Sequence, residues 1–249
     1  MDLGLKGKVA IVTGVGSQIG FGKGIALVLA KEGCNIVGCD IDLEGAEKTA
    51  AEVRDTGSRA IAVKVDITSR ADVDNMVKVA LEQFGWIDIL VNNAGGSTPP
   101  RNFAEASEED WDKDIEVNLK GAVNCTRAVI PHMISQKSGK IVSISSVGGI
   151  TGVPTGTAYG AAKAGIINFT TSLQQEVAES GINVNCIAPG LGNTAFYVQF
   201  GPEWNERTKK MAAAGKTTTP EEMGNAVAFL ASDVSKRIMG QCLRVSGTM

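Results

Sequence analysis

Short, continuously apolar runs alternate with longer helix-like stretches from one end of the chain to the other. The short runs are rich in Val and Ile, which is typical of strands buried on both faces of a parallel sheet. We predict seven such strands, at Val9–Thr13, Asn35–Cys39, Ala60–Val65, Ile87–Asn92, Lys140–Ile144, Asn183–Ile187 and Gln241–Val245.

The stretches between these runs are long enough for helices. We predict them at Gly22–Glu32, Leu43–Asp55, Arg70–Phe84, Glu108–Ser135, Thr157–Glu179 and Pro220–Ala231. Alternating strands and helices with right-handed crossovers build a parallel sheet with helices on both faces. The pattern therefore predicts an α/β fold, a single doubly wound domain over residues 1–249 with a seven-stranded parallel sheet.

The least regular part of the chain runs from residue 191 to residue 219. A long irregular insertion in a compact domain is usually a lid or a binding loop, or else it is disordered. This one is dense in large apolar side chains: Phe196, Tyr197, Val198, Phe200 and Trp204. We predict a substrate-binding loop or lid over residues 191–219 and an apolar, ring-bearing substrate. The alternative is a lid packed on itself, which carries no information about the substrate.

Composition narrows the function further. The 249 residues have a net charge of −3, so the chain has no basic field to hold nucleic acid or an anionic membrane. Five cysteines form no Cys-x-x-Cys pair, and one histidine is too few for a usual zinc site, so we expect reduced thiols and no metal. No apolar run is long enough to span a membrane, and the N-terminus does not resemble a signal peptide. We expect a cytoplasmic protein.

A glycine-rich turn, Thr13–Gly22, follows the first predicted strand and opens a helix. Glycines in such a turn let backbone N–H groups approach a pyrophosphate at the helix N-terminus. Asp40 ends the second strand, twenty residues after Gly20, where a carboxylate would accept the ribose hydroxyls of an adenosine and repel a 2′-phosphate. The turn contains no Arg or Lys. The sequence therefore predicts NAD rather than NADP. The alternative is that Asp40 is a simple helix-flanking cap.

Two further polar positions follow predicted strands. Asp66 could accept a hydrogen bond from an adenine amino group, or it could cap the helix that begins near Ser69. Asn92–Gly95 ends the fourth strand, at the edge where open α/β sheets bind ligands. Its amides could pair with a cofactor or with the sheet backbone, or they could simply form a turn.

The most informative pair is Tyr159 and Lys163, which lie one turn apart on a predicted helix. An ammonium about 4–5 Å from a phenol stabilises the phenolate by roughly 3–4 kcal/mol at an effective dielectric near 20, enough to produce a general base near neutral pH. Ser146 follows a strand thirteen residues upstream. The alternative without a catalytic function is a surface tyrosine next to a solvated lysine.

In this order along the chain, the glycine turn, Asp40, Asp66, the Asn92–Gly95 segment and the residues that follow resemble the short-chain dehydrogenase/reductase family, and the resemblance covers nearly the whole chain. It implies a Rossmann-like fold, a catalytic set and a cofactor set. The catalytic set is Asn118, Ser146, Tyr159 and Lys163. The cofactor set is Gly14, Gly16, Ser17, Gln18, Gly20, Phe21, Gly22, Asp40, Asp66, Ile67, Asn93, Gly95, Tyr159, Lys163, Pro189, Gly190 and Thr194.

By the resemblance, Tyr159 is the acid/base, Ser146 holds the substrate oxygen and Asn118 supports a water-linked proton relay. Lys163 lowers the tyrosine pKa and holds the nicotinamide ribose. Thr194 and the backbone after Pro189 face the nicotinamide amide or the pyrophosphate. The implied activity is hydride transfer between NAD and a secondary alcohol or ketone.

The chain departs from the usual family pattern at three places. The glycine turn is two residues longer, which leaves the roles of Gly16, Ser17 and Gln18 open. Gly192 stands where a branched apolar residue is common, which suggests a looser nicotinamide contact. The C-terminus lacks the Asp-Gly-Gly of many relatives.

Alternative functions remain open at this point. A reductase of carrier-bound or CoA-bound 3-oxoacyl chains is the closest one, although Asp40 and the negative net charge argue against it. A non-catalytic dinucleotide-binding module is the other. We also expect a homotetramer, both from the resemblance and because the helices at 108–135 and 157–179 carry apolar residues on more than one face. The candidates for burial against a partner are Ala122, Val129, Ile166, Phe169 and Leu173.

Overall fold

The protein is described by a computed structural model that covers residues 2–192, 194–213, 215 and 217–246. Seven parallel strands form one sheet in the order β3-β2-β1-β4-β5-β6-β7. They are β1 Val9–Thr13, β2 Asn35–Asp40, β3 Ala60–Lys64, β4 Ile89–Asn92, β5 Gly139–Ile144, β6 Ile182–Pro189 and β7 Cys242–Val245. The predicted seven-stranded, doubly wound sheet is confirmed.

Helices cover both faces of this sheet. They are α1 Phe21–Lys31, α2 Leu43–Asp55, α3 Arg70–Phe84, α4 Glu108–Ile115, α5 Gly121–Gln136, α6 Gly148–Thr151, α7 Thr157–Val177, α8 Pro202–Ala213 and α9 Pro220–Ala231. In the described part of the chain, no helix is both long and apolar enough to cross a membrane.

The apolar core consists of two layers, one on each side of the sheet. Side chains alternate along β1, so that Ala10 and Val12 join the layer that contains α1, α2 and α9. Val9 and Ile11 join the opposite layer, which contains α3, α5 and α7. Every residue of β1 is buried, which explains why its sequence shows no polar alternation.

Two predicted features differ from the structure. The predicted helix over residues 108–135 is interrupted by a π-helical turn, Glu116–Lys120, which separates α4 from α5. The segment from 191 to 219 contains a 3-10 turn, Ala195–Phe200, and the helix α8, so it is more regular than predicted. The sequence pattern did not show α8, because this short helix is polar and contributes few residues to either core layer.

Three of the five residues expected to be buried by a partner lie instead in the chain's own core. Ala122, Val129 and Ile166 are buried, whereas Phe169 and Leu173 are half-buried. The sequence pattern could not separate these two groups, because α5 and α7 each pack against both the sheet and neighbouring helices.

The strand order places the functional edge. The chain leaves β1 toward β2 and β3, and then returns to β4 on the other side of β1. Loops that leave the ends of β1 and β4 therefore diverge, which opens a crevice at the carboxyl edge of the sheet.

Candidate active site

The glycine-rich loop after β1 is held by close backbone contacts. Gly14 has a φ of +76° and its N–H donates to the Cys39 carbonyl at 2.7 Å. A Cβ on Gly22 would lie 2.0 Å from the Gly14 carbonyl oxygen, so only glycine lets α1 begin this close to β1. No side chain caps the N-terminus of α1 at Gly20, and its first turn contains no acidic residue, so its N–H groups are suited to an anion.

Gln18 accounts for part of the extra length of this loop. Its amide Nε2 donates to the carbonyls of Gly16 at 2.9 Å and Gly45 at 3.0 Å, and its Oε1 accepts from Lys23 at 3.1 Å. The Gln18 side chain therefore fastens the loop to α2, and its contact with a cofactor stays a prediction. Ser17, the neighbouring residue, lies on the wall of the adjoining cavity.

Asp40 stands at the end of β2, next to the loop. Its Oδ2 accepts the N–H of Gly16 at 2.7 Å, and its Oδ1 accepts the N–H of Asp42 at 2.9 Å. A Cβ on Gly16 would lie 2.8 Å from the Asp40 Cγ, which explains the glycine at this position. The helix α2 is capped by Asp42 and not by Asp40, so the capping alternative for Asp40 is not what the structure has.

A cavity of about 650 Å³ extends from this loop along the crevice. Most of the predicted cofactor residues lie on its wall: Gly14, Ser17, Gly20, Phe21, Asp40, Asp66, Ile67, Asn93, Gly95 and Thr194. Gly16, Gln18 and Gly22 do not line it, but each contacts a residue that fixes the loop: Asp40, Gly45 and Gly14, respectively. We call this space the dinucleotide cavity, because its size, its glycine rim, the free N-terminus of α1 and the Asp40 carboxylate fit an extended dinucleotide.

The polar residues after β3 and β4 have different tasks. Asp66 lies on the cavity wall, and its Oδ1 accepts from the backbone and the hydroxyl of Thr68, while Ser69 caps α3. Asn93 donates its amide protons to the carbonyls of Thr13 at 2.8 Å and Gly14 at 3.1 Å. Asn93 thus pairs with backbone of the glycine loop, one of the alternatives left open by the sequence.

The four predicted catalytic residues surround a small cavity of about 100 Å³, which we call the catalytic cavity. Asn118 lies in the π-helical turn between α4 and α5, where one extra residue per turn re-aims a side chain. It donates to the carbonyls of Gly96 at 2.7 Å and Asp114 at 2.9 Å. Pro189, Gly190 and Thr194 lie on the same wall.

Ser146 follows β5, and Tyr159 and Lys163 belong to α7. The hydroxyl of Ser146 accepts the N–H of Gly148 at 3.0 Å and is hydrogen-bonded to the phenol of Tyr159. Lys163 is buried, donates to the Ile144 carbonyl at 3.0 Å and lies 5.7 Å from the centre of the Tyr159 ring. The predicted pairing of these residues on one face of a helix is present.

The protonation of this pair differs from the simple electrostatic prediction. Burial raises the pKa of Tyr159, the hydrogen bond with Ser146 lowers it, and the charge of Asp114 raises it again, with a net upward shift. Burial also lowers the pKa of Lys163 to about 8. The expectation of a lowered tyrosine pKa is therefore wrong for the protein alone, because the loss of hydration outweighs the hydrogen bond with Ser146.

A third cavity, of about 370 Å³, opens on the other side of Tyr159 and Ser146. We call it the substrate cavity. The aromatic residues of the predicted lid form one wall, with Phe196 5.9 Å from Tyr159 and Tyr197 stacked on Trp204, measured between ring centres. None of the described residues that line it is lysine, arginine, aspartate or glutamate.

Sequence reasoning missed Asp114, a buried carboxylate close to this site. Its Oδ1 accepts the N–H of Thr98 at 2.8 Å, its Oδ2 accepts the Thr98 hydroxyl, and burial raises its pKa. The acidic stretch around it, Glu108–Glu116, is typical of a solvated helix face, so the sequence offers no signal for this residue. Elsewhere in the described residues, no group of three or more His, Cys, Asp or Glu side chains could hold a metal ion.

Comparison with known proteins assigns the family. A profile described as short chain dehydrogenase matches residues 8–203. The chain is 40% identical over 245 residues to the (2S)-[(R)-hydroxy(phenyl)methyl]succinyl-CoA dehydrogenase subunit BbsD of Thauera aromatica, covering 98% of this chain and 97% of that protein. It is 37% identical over 243 residues to the 3-oxoacyl-[acyl-carrier-protein] reductase FabG of Thermotoga maritima, covering 98% of each.

Solved structures give the same result. The 3-ketoacyl-(acyl-carrier-protein) reductase from Brucella melitensis, complexed with NADH, superposes with a TM-score of 0.88 at 36% identity over 97% of both chains. An NAD+-bound xylitol dehydrogenase superposes with a TM-score of 0.88 at 31% identity over 98% of this chain and 99% of that one. By sequence, sheet order and family match, the chain belongs to the short-chain dehydrogenase/reductase family of oxidoreductases, whose members bind a nicotinamide cofactor and act on small molecules.

Proposed function

We propose that the protein is an NAD-dependent oxidoreductase that interconverts a secondary alcohol and a ketone, and that its substrate is apolar and carries a ring. One observation carries the proposal. The hydrogen-bonded hydroxyls of Ser146 and Tyr159 lie where the uncharged, aromatic substrate cavity meets the catalytic cavity. An alcohol bound there places its oxygen on two hydroxyl groups and its ring against the aromatic wall.

The residues have separate roles in this mechanism. When bound, the nicotinamide supplies or accepts the hydride. In oxidation, Tyr159 removes the hydroxyl proton while Ser146 donates a hydrogen bond to the same oxygen, so the charge that develops meets donors already in place. The ammonium of Lys163 lies near the ring of Tyr159. Asn118 holds the backbone at Gly96 by donating a hydrogen bond to its carbonyl.

The raised tyrosine pKa has a consequence for this mechanism. Burial keeps Tyr159 protonated in the protein alone, which suits donation of a proton to a ketone. Removal of a proton from an alcohol needs extra positive charge near the phenol. Lys163, with its pKa near 8, and the oxidised nicotinamide are the sources that the proposal requires.

Asp40 supports the choice of NAD. Its carboxylate lies on the wall of the dinucleotide cavity, beside the glycine loop that it holds through Gly16. A ribose hydroxyl can donate to such a carboxylate, whereas a 2′-phosphate would be repelled. Among the described residues on this wall, Lys113 is the basic side chain that could attract a phosphate. It belongs to α4, and not to the glycine loop or to the turn after β2.

We predict at least a tenfold higher kcat/KM with NADH than with NADPH, which corresponds to about 1.4 kcal/mol. Asp40→Asn should narrow this gap, because it removes the charge and keeps an oxygen that can accept the Gly16 N–H. Asp40→Ala should narrow it as well, with a further loss of loop order. Equal use of both cofactors by the unaltered protein would contradict the assignment.

The second candidate function is reduction of 3-oxoacyl groups on CoA or on a carrier protein. The names of the relatives BbsD and FabG favour it. The two functions differ in whether the substrate carries a thioester to CoA or to a carrier protein. Turnover of a panel of aryl and cycloalkyl ketones, short-chain ketones and acetoacetyl-CoA distinguishes them, and faster reduction of the thioester would replace our proposal with this one.

Tyr159→Phe tests the chemistry directly. The change deletes the titratable oxygen and keeps the ring, so the fold and its packing against Phe196 should survive. Proton transfer by a positioned group contributes about 10²–10⁴-fold, and we expect kcat on the best ketone of the panel to fall by that factor. NADH binding, measured by fluorescence, should change little. Turnover near that of the unaltered protein would contradict the proposed mechanism.

Lys163→Met tests the buried cation through stability. Between pH 8 and 10.5 the unfolded chain keeps a proton on Lys163 that the folded chain has lost, so this group makes the protein more stable as pH rises. Other titrating groups are shared by both proteins. From pH 7 to 9.5, urea unfolding should therefore shift the stability difference in favour of the unaltered protein by about 2 kcal/mol. Lys31→Met is the control, because Lys31 is exposed. If the stability difference between Lys163→Met and the unaltered protein stays constant with pH, the lowered pKa of Lys163 is refuted.

We further propose that residues 191–219 act as the substrate lid. Phe196, Tyr197, Phe200 and Trp204 from this segment form the aromatic wall of the substrate cavity, and Phe196 also lines the other two cavities. Val198 lies in the same segment, but its side chain is outside the described residues. The free, mostly buried cysteines agree with a cytoplasmic protein, which we also propose.

We also propose a homotetramer with two-fold axes. Phe169 and Leu173 of α7 are only half-buried and offer an apolar surface for a second copy. Sedimentation at micromolar concentration should give about four times the chain mass of 25.9 kDa. A species of the chain mass alone would contradict the proposal.

A further inference from the structure

Phe21 and Gly192 contact each other on the wall of the catalytic cavity. Phe21 is the first residue of α1, and its half-buried ring packs against the core layer below. A Cβ placed on Gly192 would lie 2.5 Å from the ring atom Cζ and 3.2 Å from each Cε. Real side chains do not approach this closely, so the two positions cannot both carry a large group in this arrangement.

The backbone at Gly192 is held in place, which leaves the shared space to the ring. Gly192 pairs with Thr218 in an isolated parallel bridge, and the N–H of Thr218 donates to the Leu191 carbonyl at 2.8 Å. The hydroxyl of Thr218 donates to the Val245 carbonyl at 3.0 Å, which ties this segment to β7. The ring of Phe21 is therefore the part that would have to move if residue 192 had a side chain.

The contact between Phe21 and Gly192 lies next to the catalytic residues. Phe21 lines both the dinucleotide cavity and the catalytic cavity, and Gly192 lines the catalytic cavity together with Ser146 and Tyr159. A hydride passes only between atoms about 3–3.5 Å apart, so the hydride-carrying ring must sit in this small space next to the alcohol carbon. The wall that Phe21 and Gly192 form in this space is then a surface against which that ring can rest.

We propose that Phe21 is a positioning residue for hydride transfer, whose ring supplies the apolar wall that Gly192 lacks and holds the nicotinamide against the Ser146–Tyr159 side of the cavity. The inference rests on the proposed nicotinamide-dependent function. It also revises the expectation from the sequence that Gly192 loosens the nicotinamide contact, because the missing side chain at 192 is replaced by the ring at 21.

A double-mutant cycle tests the proposal. Phe21→Ala should weaken NADH binding about fivefold and lower kcat about tenfold or more, since a displacement near 1 Å can cost up to about 10²-fold in rate. Gly192→Val should also impair both, because its side chain displaces the ring. The double variant should recover at least about fivefold in kcat over Phe21→Ala, because valine then occupies the emptied space. Phe21→Leu, which keeps apolar bulk without the flat ring, should lie between the unaltered protein and Phe21→Ala.

A second readout does not require turnover. In the ligand-free protein, Gly192→Val should lower Tm in the presence of Phe21 and lower it less in the Phe21→Ala background, since the steric conflict is gone. Trp86→Ala is the matched control, because Trp86 is also aromatic, is 60% exposed, lies before β4 at the opposite edge of the sheet and is absent from the described cavity walls. We expect this control to leave NADH affinity, kcat and Tm close to those of the unaltered protein.

The outcomes separate this inference from the function on which it rests. Additive effects of the two changes on kcat would overturn the inference, and so would a Phe21→Ala variant with NADH affinity and kcat within twofold of the unaltered protein. In both cases the unaltered protein still binds and oxidises NADH, so the proposed function stands. If the unaltered protein binds neither NADH nor NADPH, the proposed function fails first.

Discussion

The close approach of α1 to β1 is the constraint on which the site depends. It requires glycine at position 22, since any Cβ there would meet the Gly14 carbonyl. It also needs the Asn93 amide, which satisfies the carbonyls of Thr13 and Gly14 and ties β4 to the loop. Asp40 holds the other side of the loop through the Gly16 N–H. With three neighbouring strands fixing one loop, the N-terminus of α1 is preset for an anion before any ligand binds.

The catalytic end of the site is built around a buried cation with little compensation. Lys163 donates to the Ile144 carbonyl, and burial lowers its pKa to about 8. A buried ammonium that is only partly paired lowers the stability of the fold, and such perturbed groups collect at functional sites. Burial also disfavours the charged form of Tyr159. Because that form is the phenolate, the pKa of Tyr159 rises. In the proposed function, the ligand-free site is therefore set for proton donation, and its use as a base requires added positive charge.

The substrate side has a different physical character. Its wall comes from a segment that crosses the sheet edge and packs its aromatic rings on one another and on Tyr159. Ring contacts of this kind stabilise a shaped apolar surface without charged groups. The names of two relatives, BbsD and FabG, give substrates attached to CoA or to a carrier protein, and the BbsD substrate carries a phenyl group. A ring in the substrate is thus compatible with both candidate functions, and the thioester is what separates them.

The sequence by itself determined the fold class and the order of strands along the chain, because strands buried on both faces must be continuously apolar. It also placed Tyr159 one turn before Lys163 and put Asp40 at a strand end, since these are consequences of local geometry. Only the tertiary structure decided how the side chains share space and charge. The interruption of the 108–135 helix at Asn118, the burial of Asp114, the task of Gln18 and the contact between Phe21 and Gly192 each depend on residues far apart in the chain. The tertiary structure also decided the direction of the pKa shift of Tyr159, because desolvation depends on everything packed around the group and not on spacing along a helix.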